Sequence, residues 1–279
     1  MSNPSQTLVH KVVAITGGAT GIGFALAKAM GRHGAKVVIG EPRQEYLDKA
    51  LSELHAADID ASAITLDVTD IGSFNAFAEF AWATYGQVDI LINNAGISGP
   101  RGMIDKINVD EARHVFDVNF FGVWHGCAVF SKYMLQQGTP AAIYNVASEN
   151  AFFVAVPKSP AYIASKHAVF GLTQSLRHDM PAFIHLGTIF PGFVETPLTG
   201  PLSAGYAMNA DKFAETIMPQ IIANEPYVIS HAFNKVHIDA QHAEISDAFA
   251  TFAPRYEGDD EYDVKAMIAK LKAQKDKGA

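Results

Sequence analysis

Tyr162 and Lys166 stand four residues apart in SPAYIASKHAVFG, residues 159 to 171. On a helix this spacing puts both side chains on one face, their Cβ atoms about 5–6 Å apart. A free phenol titrates near about 10, too high for an efficient base at neutral pH, and an adjacent ammonium stabilises the phenolate. The pair can therefore serve as an acid and the cation that tunes it. Two solvated side chains are the plainer alternative, since a Tyr-x-x-x-Lys spacing alone arises by chance. Ser148 adds weight: it closes the apolar run AAIYNVAS, fourteen residues before Tyr162, where its hydroxyl can hydrogen-bond a substrate oxygen. Pro160 suits the first turn of the helix that would carry the pair. Asn119, in FDVNFFG, falls inside a helical stretch that asparagine disfavours. It either holds a water linking Lys166 to solvent or satisfies a buried backbone group.

The elements that must position these residues alternate. KVVAIT (11 to 16), KVVIG (36 to 40), AITL (63 to 66), DILIN (89 to 93), AAIYNVA (141 to 147) and IHLGTIF (184 to 190) are unbroken apolar runs, as strands covered on both faces would be. Helical patterns lie between them near 21–33, 43–56, 71–84, 109–136 and 160–180, with another at 210–223 before a last strand, PYVIS (226 to 230). The alternation predicts an α/β fold, a doubly wound parallel β-sheet with helices on both faces. We expect one domain over 1–279, with 193–225 as a substrate lid and 231–279 as a C-terminal extension. In such a sheet the carboxyl ends of the strands face the ligand crevice, which is where Ser148 falls.

KVVAITGGATGIGFALA reads as strand, glycines, helix. Gly17, Gly21 and Gly23 let the backbone turn tightly and approach a pyrophosphate, and the helix N-terminus offers its N–H groups to the anion. An ordinary glycine-rich turn is the alternative. Glu41 ends the second strand, where a dinucleotide site needs a group to read the ribose. A carboxylate there accepts from the 2′-hydroxyl and repels a 2′-phosphate, which favours NAD over NADP. Arg43 argues the other way, because a guanidinium can hold that phosphate. Asp67, in LDVTD, can accept from the adenine amino group, while Thr69 or Asp70 caps the next helix. NNAG (93 to 96) ends the fourth strand with amides that can tie strand ends together, and Gly96 lets a cofactor pass.

Composition agrees with an enzyme-sized core: 49% hydrophobic and 18% charged residues. A net charge of −8, from 21 basic and 29 acidic residues, argues against a nucleic-acid partner. No run of about 18 apolar residues implies a membrane span, and MSNPSQTLVH lacks a signal-peptide pattern. Cys127 is the single cysteine, so no internal disulfide is possible. A cytoplasmic protein is the expectation. His231, His237 and His242 match no zinc spacing, so no metal is expected.

Taken together, TGGATGIG, Asp67-Val68, NNAG, Asn119, Ser148, Tyr162-x-x-x-Lys166 and PGFVET (191 to 196) resemble the short-chain dehydrogenase/reductase family over residues 8 to 200. The resemblance implies a Rossmann fold and reversible hydride transfer between a nicotinamide C4 and a carbinol or carbonyl carbon. It makes Tyr162 the acid/base, Lys166 its tuning cation and ribose ligand, Ser148 the group that orients the substrate oxygen, and Asn119 a support of the proton relay. It extends the cofactor set to Thr20, Ile22, Val68, Asn94, Ala95, Pro191, Gly192, Val194 and Thr196, the last at the nicotinamide carboxamide. It also suggests a homodimer or homotetramer through the helices at 109–136 and 160–180. Many members end in a strand and an Asp-Gly-Gly-like turn; PYVISHAFNKVHID has no such glycines, which puts the C-terminal contacts in question.

Substrate contacts are sought near the site motifs: Asn150, Phe153, Phe193, Leu198 and Tyr206, with Phe152, Leu202, Met208 and Phe213 further apolar candidates for the crevice. They point to a bulky apolar or aromatic secondary alcohol or its ketone, unless they pack in the core. An NADPH-dependent carbonyl reductase is the alternative within the same chemistry. A dinucleotide-binding regulator without catalysis would have lost a catalytic residue, and none of the four is missing. A nucleotide-sugar epimerase would need a larger C-terminal domain than the residues after Gly192 provide. Within the extension, residues 239 to 252 are expected to form a helix burying Ile245, Phe249 and Phe252.

Overall fold

Val12–Thr16 forms the first strand, β1, and its residues alternate between two apolar clusters: Val13 and Ile15 pack on one face of the sheet, Val12 and Ala14 on the other. This two-faced burial is why the strand reads as a continuous apolar run. The computed structural model describes residues 8–200 and 203–277; residues 1–7 and Leu202, both drawn on above, lie outside them. The remaining elements follow in alternation. They are α1 (Gly21–Arg32), β2 (Lys36–Glu41), α2 (Gln44–Ala56), β3 (Ala61–Thr65), α3 (Ile71–Tyr85), β4 (Ile90–Asn93), α4 (Val109–Phe116) and α5 (Gly122–Gln137). Then come β5 (Ala141–Val146), α6 (Pro160–Asp179), β6 (Ile184–Phe190), the short β7 (Val194–Glu195) and β8 (Met208–Asn209), α7 (Ala210–Ile222) and β9 (Tyr227–Ile229).

Seven strands pair in the order β3-β2-β1-β4-β5-β6-β9, every pairing parallel. The sheet is doubly wound as the alternation predicts, and the order reverses between β1 and β4. A crevice therefore opens beyond their carboxyl ends. Local chemistry sets the element ends. Asp70 accepts from the N–H groups of Gly72 and Ser73, both at 3.0 Å, and so caps α3. Gly86 (φ 79°) ends the same helix in the left-handed conformation that favours glycine.

Three expectations need correction. The long helix over 109–136 is divided, because Asp117–Phe121 forms a π turn between α4 and α5. The segment at 210–223 is less lid than core. Phe213, Ala214, Ile217, Met218 and Ile221 of α7 are buried in the cluster that includes α1, so Phe213 does not face a crevice. Its apolar residues recur at helical spacing, which by itself cannot distinguish a lid from a core helix.

The chain divides into two compact units between Asn234 and Lys235. The second carries most of α8 (Asn234–Phe252) and all of α9 (Val264–Lys277). The expected helix at 239–252 exists, but Ile245, Phe249 and Phe252 are 48%, 64% and 86% exposed rather than buried. The third correction has a plain reason: helical spacing gathers apolar groups on a face but does not supply anything to cover it. Among the described residues no helix is long and apolar enough to cross a membrane.

Candidate active site

The turn after β1 runs straight into α1, so Gly17 and Gly21 stand where the first backbone N–H groups of that helix lack intrahelical partners. Gly17 has φ 60°, and a Cβ at Gly23 would run into the Gly17 carbonyl and the Asn94 amide. The loop is thus closed to side chains on its inner side. Asn94 fastens it to β4: its Nδ2 donates to the carbonyls of Thr16 at 2.9 Å and Gly17 at 3.1 Å. Thr16 Oγ1 accepts in return from the N–H groups of Asn94 and Ala95, both at 3.0 Å. Asn93 makes the next tie, donating to Asn145 of β5 at 2.8 Å.

These ends border a cleft of about 570 Å³. Its floor holds Gly17, Thr20, Gly21 and Ile22 from the loop, and Asn94, Ala95 and Gly96 from the turn after β4. Glu41, Asp67 and Val68 line one end; Ser148, Tyr162 and Lys166 line the other, with Pro191, Gly192, Val194 and Thr196 beside them. Gly23 lies behind the loop and does not line the cleft, which makes its smallness a packing requirement. Sequence reasoning missed Leu66, Ile97, His114, Val118, Val146, Ala147 and Thr199, all of which line it. His114 and Val118 are four apart across α4 and the π turn, a spacing that could have put them on one face.

Glu41 is buried, and Arg43 Nε donates to its carboxylate at 2.6 Å. The Arg43 guanidinium also covers the ring of Tyr46 at 3.9 Å. Asp67 accepts from the N–H and hydroxyl of Thr69 at 2.9 and 2.8 Å while lining the cleft, and Asp70 takes the cap. The cap is Asp70, and Asp67 is left free of that role at the cleft.

At the other end, Lys166 is buried and its Nζ donates to the Val146 carbonyl at 2.9 Å, 5.8 Å from the Tyr162 ring centre. Burial pulls the ammonium down to about 8. Burial also pushes the half-buried Tyr162 phenol up, opposed by a hydrogen bond with Ser148 and reinforced by the charge of Glu149. Burial thus raises the pKa of this phenol, where the spacing with Lys166 suggests acidification. Asn119 is fully buried outside the cleft. It accepts from Ile97 N at 2.8 Å and donates to Ile97 O at 3.0 Å and Ser165 Oγ at 3.1 Å.

Of the substrate candidates, Leu198 lines the cleft. Phe193 and Tyr206 are 42% and 87% exposed and do not line it. Phe153 is half-buried outside the lining. Asn150 is buried with both ends of its amide engaged. Phe152 packs 4.3 Å, ring centre to ring centre, from Phe190, and Met208 lies against the core. His231 meets Ser230 Oγ at 2.8 Å and the Phe193 carbonyl at 3.3 Å. Among the described residues no three His, Cys, Asp or Glu side chains gather as metal ligands.

The family model described as short chain dehydrogenase matches residues 11–207. A 1-deoxy-11-beta-hydroxypentalenate dehydrogenase from Streptomyces avermitilis is 33% identical over 81% of this chain and 86% of its own length. A mitochondrial borneol dehydrogenase from Lavandula x intermedia is 32% identical over 81% and 89%. Among solved structures, a short-chain dehydrogenase/reductase from Burkholderia phymatum in complex with NAD superposes with a TM-score of 0.79 at 27% identity, covering 86% of this chain and 95% of that one.

Proposed function

This chain belongs to the short-chain dehydrogenase/reductase family, and we propose that it is an NAD-dependent oxidoreductase interconverting a bulky, apolar secondary alcohol and its ketone. One observation carries the reading: Ser148, Tyr162 and Lys166 share a single cleft with the glycine loop and a buried Glu41. Gly17 and Gly21, at φ 60° and 55°, line the cleft ahead of the α1 N-terminus, which suits a close-lying pyrophosphate. The preference for NAD is supported by Glu41, whose carboxylate can accept from a ribose 2′-hydroxyl and already neutralises Arg43. The relatives named as dehydrogenases of a hydroxypentalenate and of borneol are consistent with an alcohol as substrate.

A bound nicotinamide would supply the hydride acceptor in oxidation and the donor in reduction. The protein supplies the proton. In reduction Tyr162 gives its phenolic hydrogen to the ketone oxygen, and in oxidation it takes the hydroxyl proton of the alcohol. Burial keeps the phenol protonated, the form that reduction uses first. Ser148 donates to the same substrate oxygen and holds it beside the phenol. Lys166 would hold the nicotinamide ribose, and its buried ammonium stabilises the Tyr162 phenolate as that forms. Gly96 and Thr196, which line the cleft, would flank the nicotinamide end, and Asn119 fixes the strand-end turn through Ile97.

The substrate enters where Leu198, Ile97 and Val118 give the cleft an apolar wall. The described residues 193–200 and 203–209, bearing the exposed Phe193 and Tyr206, are the segment that closes over it. Phe121, Trp124 and Leu135 are exposed on or beside α5 and are the contact we assign to a homo-oligomer. The test follows nicotinamide absorbance with NAD and NADP against aromatic and aliphatic secondary alcohols and ketones. Turnover with NAD that disappears in Tyr162→Phe is the expected result; cofactor binding with no turnover across the panel would overturn it.

A further inference from the structure

Ser148 opens a tight turn, Glu149–Ala151, in which its Oγ accepts from the backbone N–H of Asn150 at 3.2 Å. The same oxygen accepts a second hydrogen bond, from Asn150 Nδ2 at 3.3 Å. A serine hydroxyl has two acceptor sites and one hydrogen. With both acceptor sites taken, only the hydrogen is left to face Tyr162 and the substrate.

The side chain of Asn150 cannot exchange its two ends freely. Its Oδ1 accepts from the backbone N–H groups of Ala155 at 3.0 Å and Val156 at 3.2 Å. Both donors have fixed polarity, so the oxygen must face them and the NH₂ must face Ser148. Asn150 is 3% exposed, which shields the arrangement from competing water. The chain of constraint runs from the 155–156 backbone, through one amide, to the direction of a single hydroxyl hydrogen.

We propose that Asn150 is a positioning residue that commits the Ser148 hydroxyl to donation toward Tyr162 and the substrate oxygen. The proposal rests on the reading of Ser148 and Tyr162 given above and replaces the role of substrate contact for Asn150. A hydroxyl committed as donor stabilises negative charge on the phenol oxygen or on the substrate oxygen, and does so without reorienting during the reaction. The other charged groups facing Tyr162 are Lys166, from its own helix, and Glu149, from the turn after β5.

Asn150→Asp tests this with little change of shape. One carboxylate oxygen keeps the Ala155 and Val156 N–H groups, while the other becomes an acceptor facing Ser148 and draws its hydrogen away. With isotope-labelled tyrosine, the Tyr162 phenol carbon is followed by NMR in cofactor-free protein near neutral pH and assigned by its loss in Tyr162→Phe. Asn150→Asp should move this resonance to the position seen in Ser148→Ala, and the double variant should add nothing further. In turnover, the pH–rate profile for alcohol oxidation should move to higher pH, with kcat reduced about ten- to a hundredfold and KM little changed. An unmoved resonance, or a double variant whose effects simply add, overturns the proposal. If no alcohol or ketone is turned over, the functional reading falls while the resonance still decides the role of Asn150.

Discussion

Arg43 reaches back two residues along the chain and donates its Nε to the buried carboxylate of Glu41 at 2.6 Å. The carboxylate is buried and the guanidinium half exposed, and the pair borders the far end of the cleft from Tyr162. The hydrogen bond with Glu41, helped by its charge and opposed by burial, raises the Arg43 pKa, as a salt bridge should. A group that would attract a 2′-phosphate is thus engaged by one that would repel it.

Removing the carboxylate should therefore change cofactor preference. In Glu41→Ser, Arg43 is released and nothing repels a 2′-phosphate. We expect kcat/KM with NAD to fall and that with NADP to rise, the ratio shifting by about ten- to a hundredfold, the worth of one hydrogen bond to a charged group. Steady-state kinetics with both cofactors measures it. An unchanged ratio would remove Glu41 from the ribose site.

Lys166 gives a prediction on stability. Its pKa of about 8 in the folded protein lies below the unfolded value of about 10.4, so the unfolded chain binds the proton more tightly. Below pH 8 the buried charge carries its full cost; the cost fades as pH rises toward the unfolded value and is gone above it. Lys166→Met should raise Tm at neutral pH while abolishing turnover. The gain should shrink through that window, as thermal melts across the pH range would show.

At the phosphate loop, Gly23→Ala adds a methyl group that collides with the Gly17 carbonyl and the Asn94 amide. Overpacking of this kind costs about 1–3 kcal/mol, and here it displaces the loop that faces the cofactor. Both Tm and NAD affinity should drop, the affinity more. Asp70→Ala is the matched control. It removes the α3 cap for about 1 kcal/mol and should lower Tm while leaving NAD affinity unchanged.

Much of this site was legible because it depends on backbone. A parallel strand buried on both faces is an unbroken apolar run, so β1, β4 and β5 are visible in sequence, and so is the crevice at their ends. The glycines, NNAG and Ser148 fall at those ends. Side-chain environment was less legible. Burial rather than Lys166 dominates the pKa of Tyr162, and burial is a property of the whole fold. Phe213 and Phe249 both sit in helices with apolar spacing, yet one is fully buried and the other 64% exposed. Nor could spacing reveal that Asn150 faces Ser148, because Ala155 and Val156 fix its amide from a later turn.

Asn119 distinguishes a buried tether from a spectator. Its amide accepts from Ile97 N and donates to Ile97 O and Ser165 Oγ, joining the π turn to the segment after β4 and to α6. Asn119→Leu leaves these partners unpaired at about 1–3 kcal/mol each where water cannot reach, so Tm should fall and kcat with it. Asn119→Asp separates the donor from the acceptor. The introduced carboxylate still accepts from Ile97 N but cannot donate; Lys166 Nζ lies near enough to favour its charge, and where burial outweighs that attraction its pKa rises above the unfolded value of about 3.9. A raised carboxyl pKa contributes stability at low pH that is lost as pH rises through it. The Tm deficit of Asn119→Asp against the parent protein should therefore narrow near about pH 5 and widen near about pH 8. A deficit that does not depend on pH would mean that the Nδ2 donations carry no part of the tether.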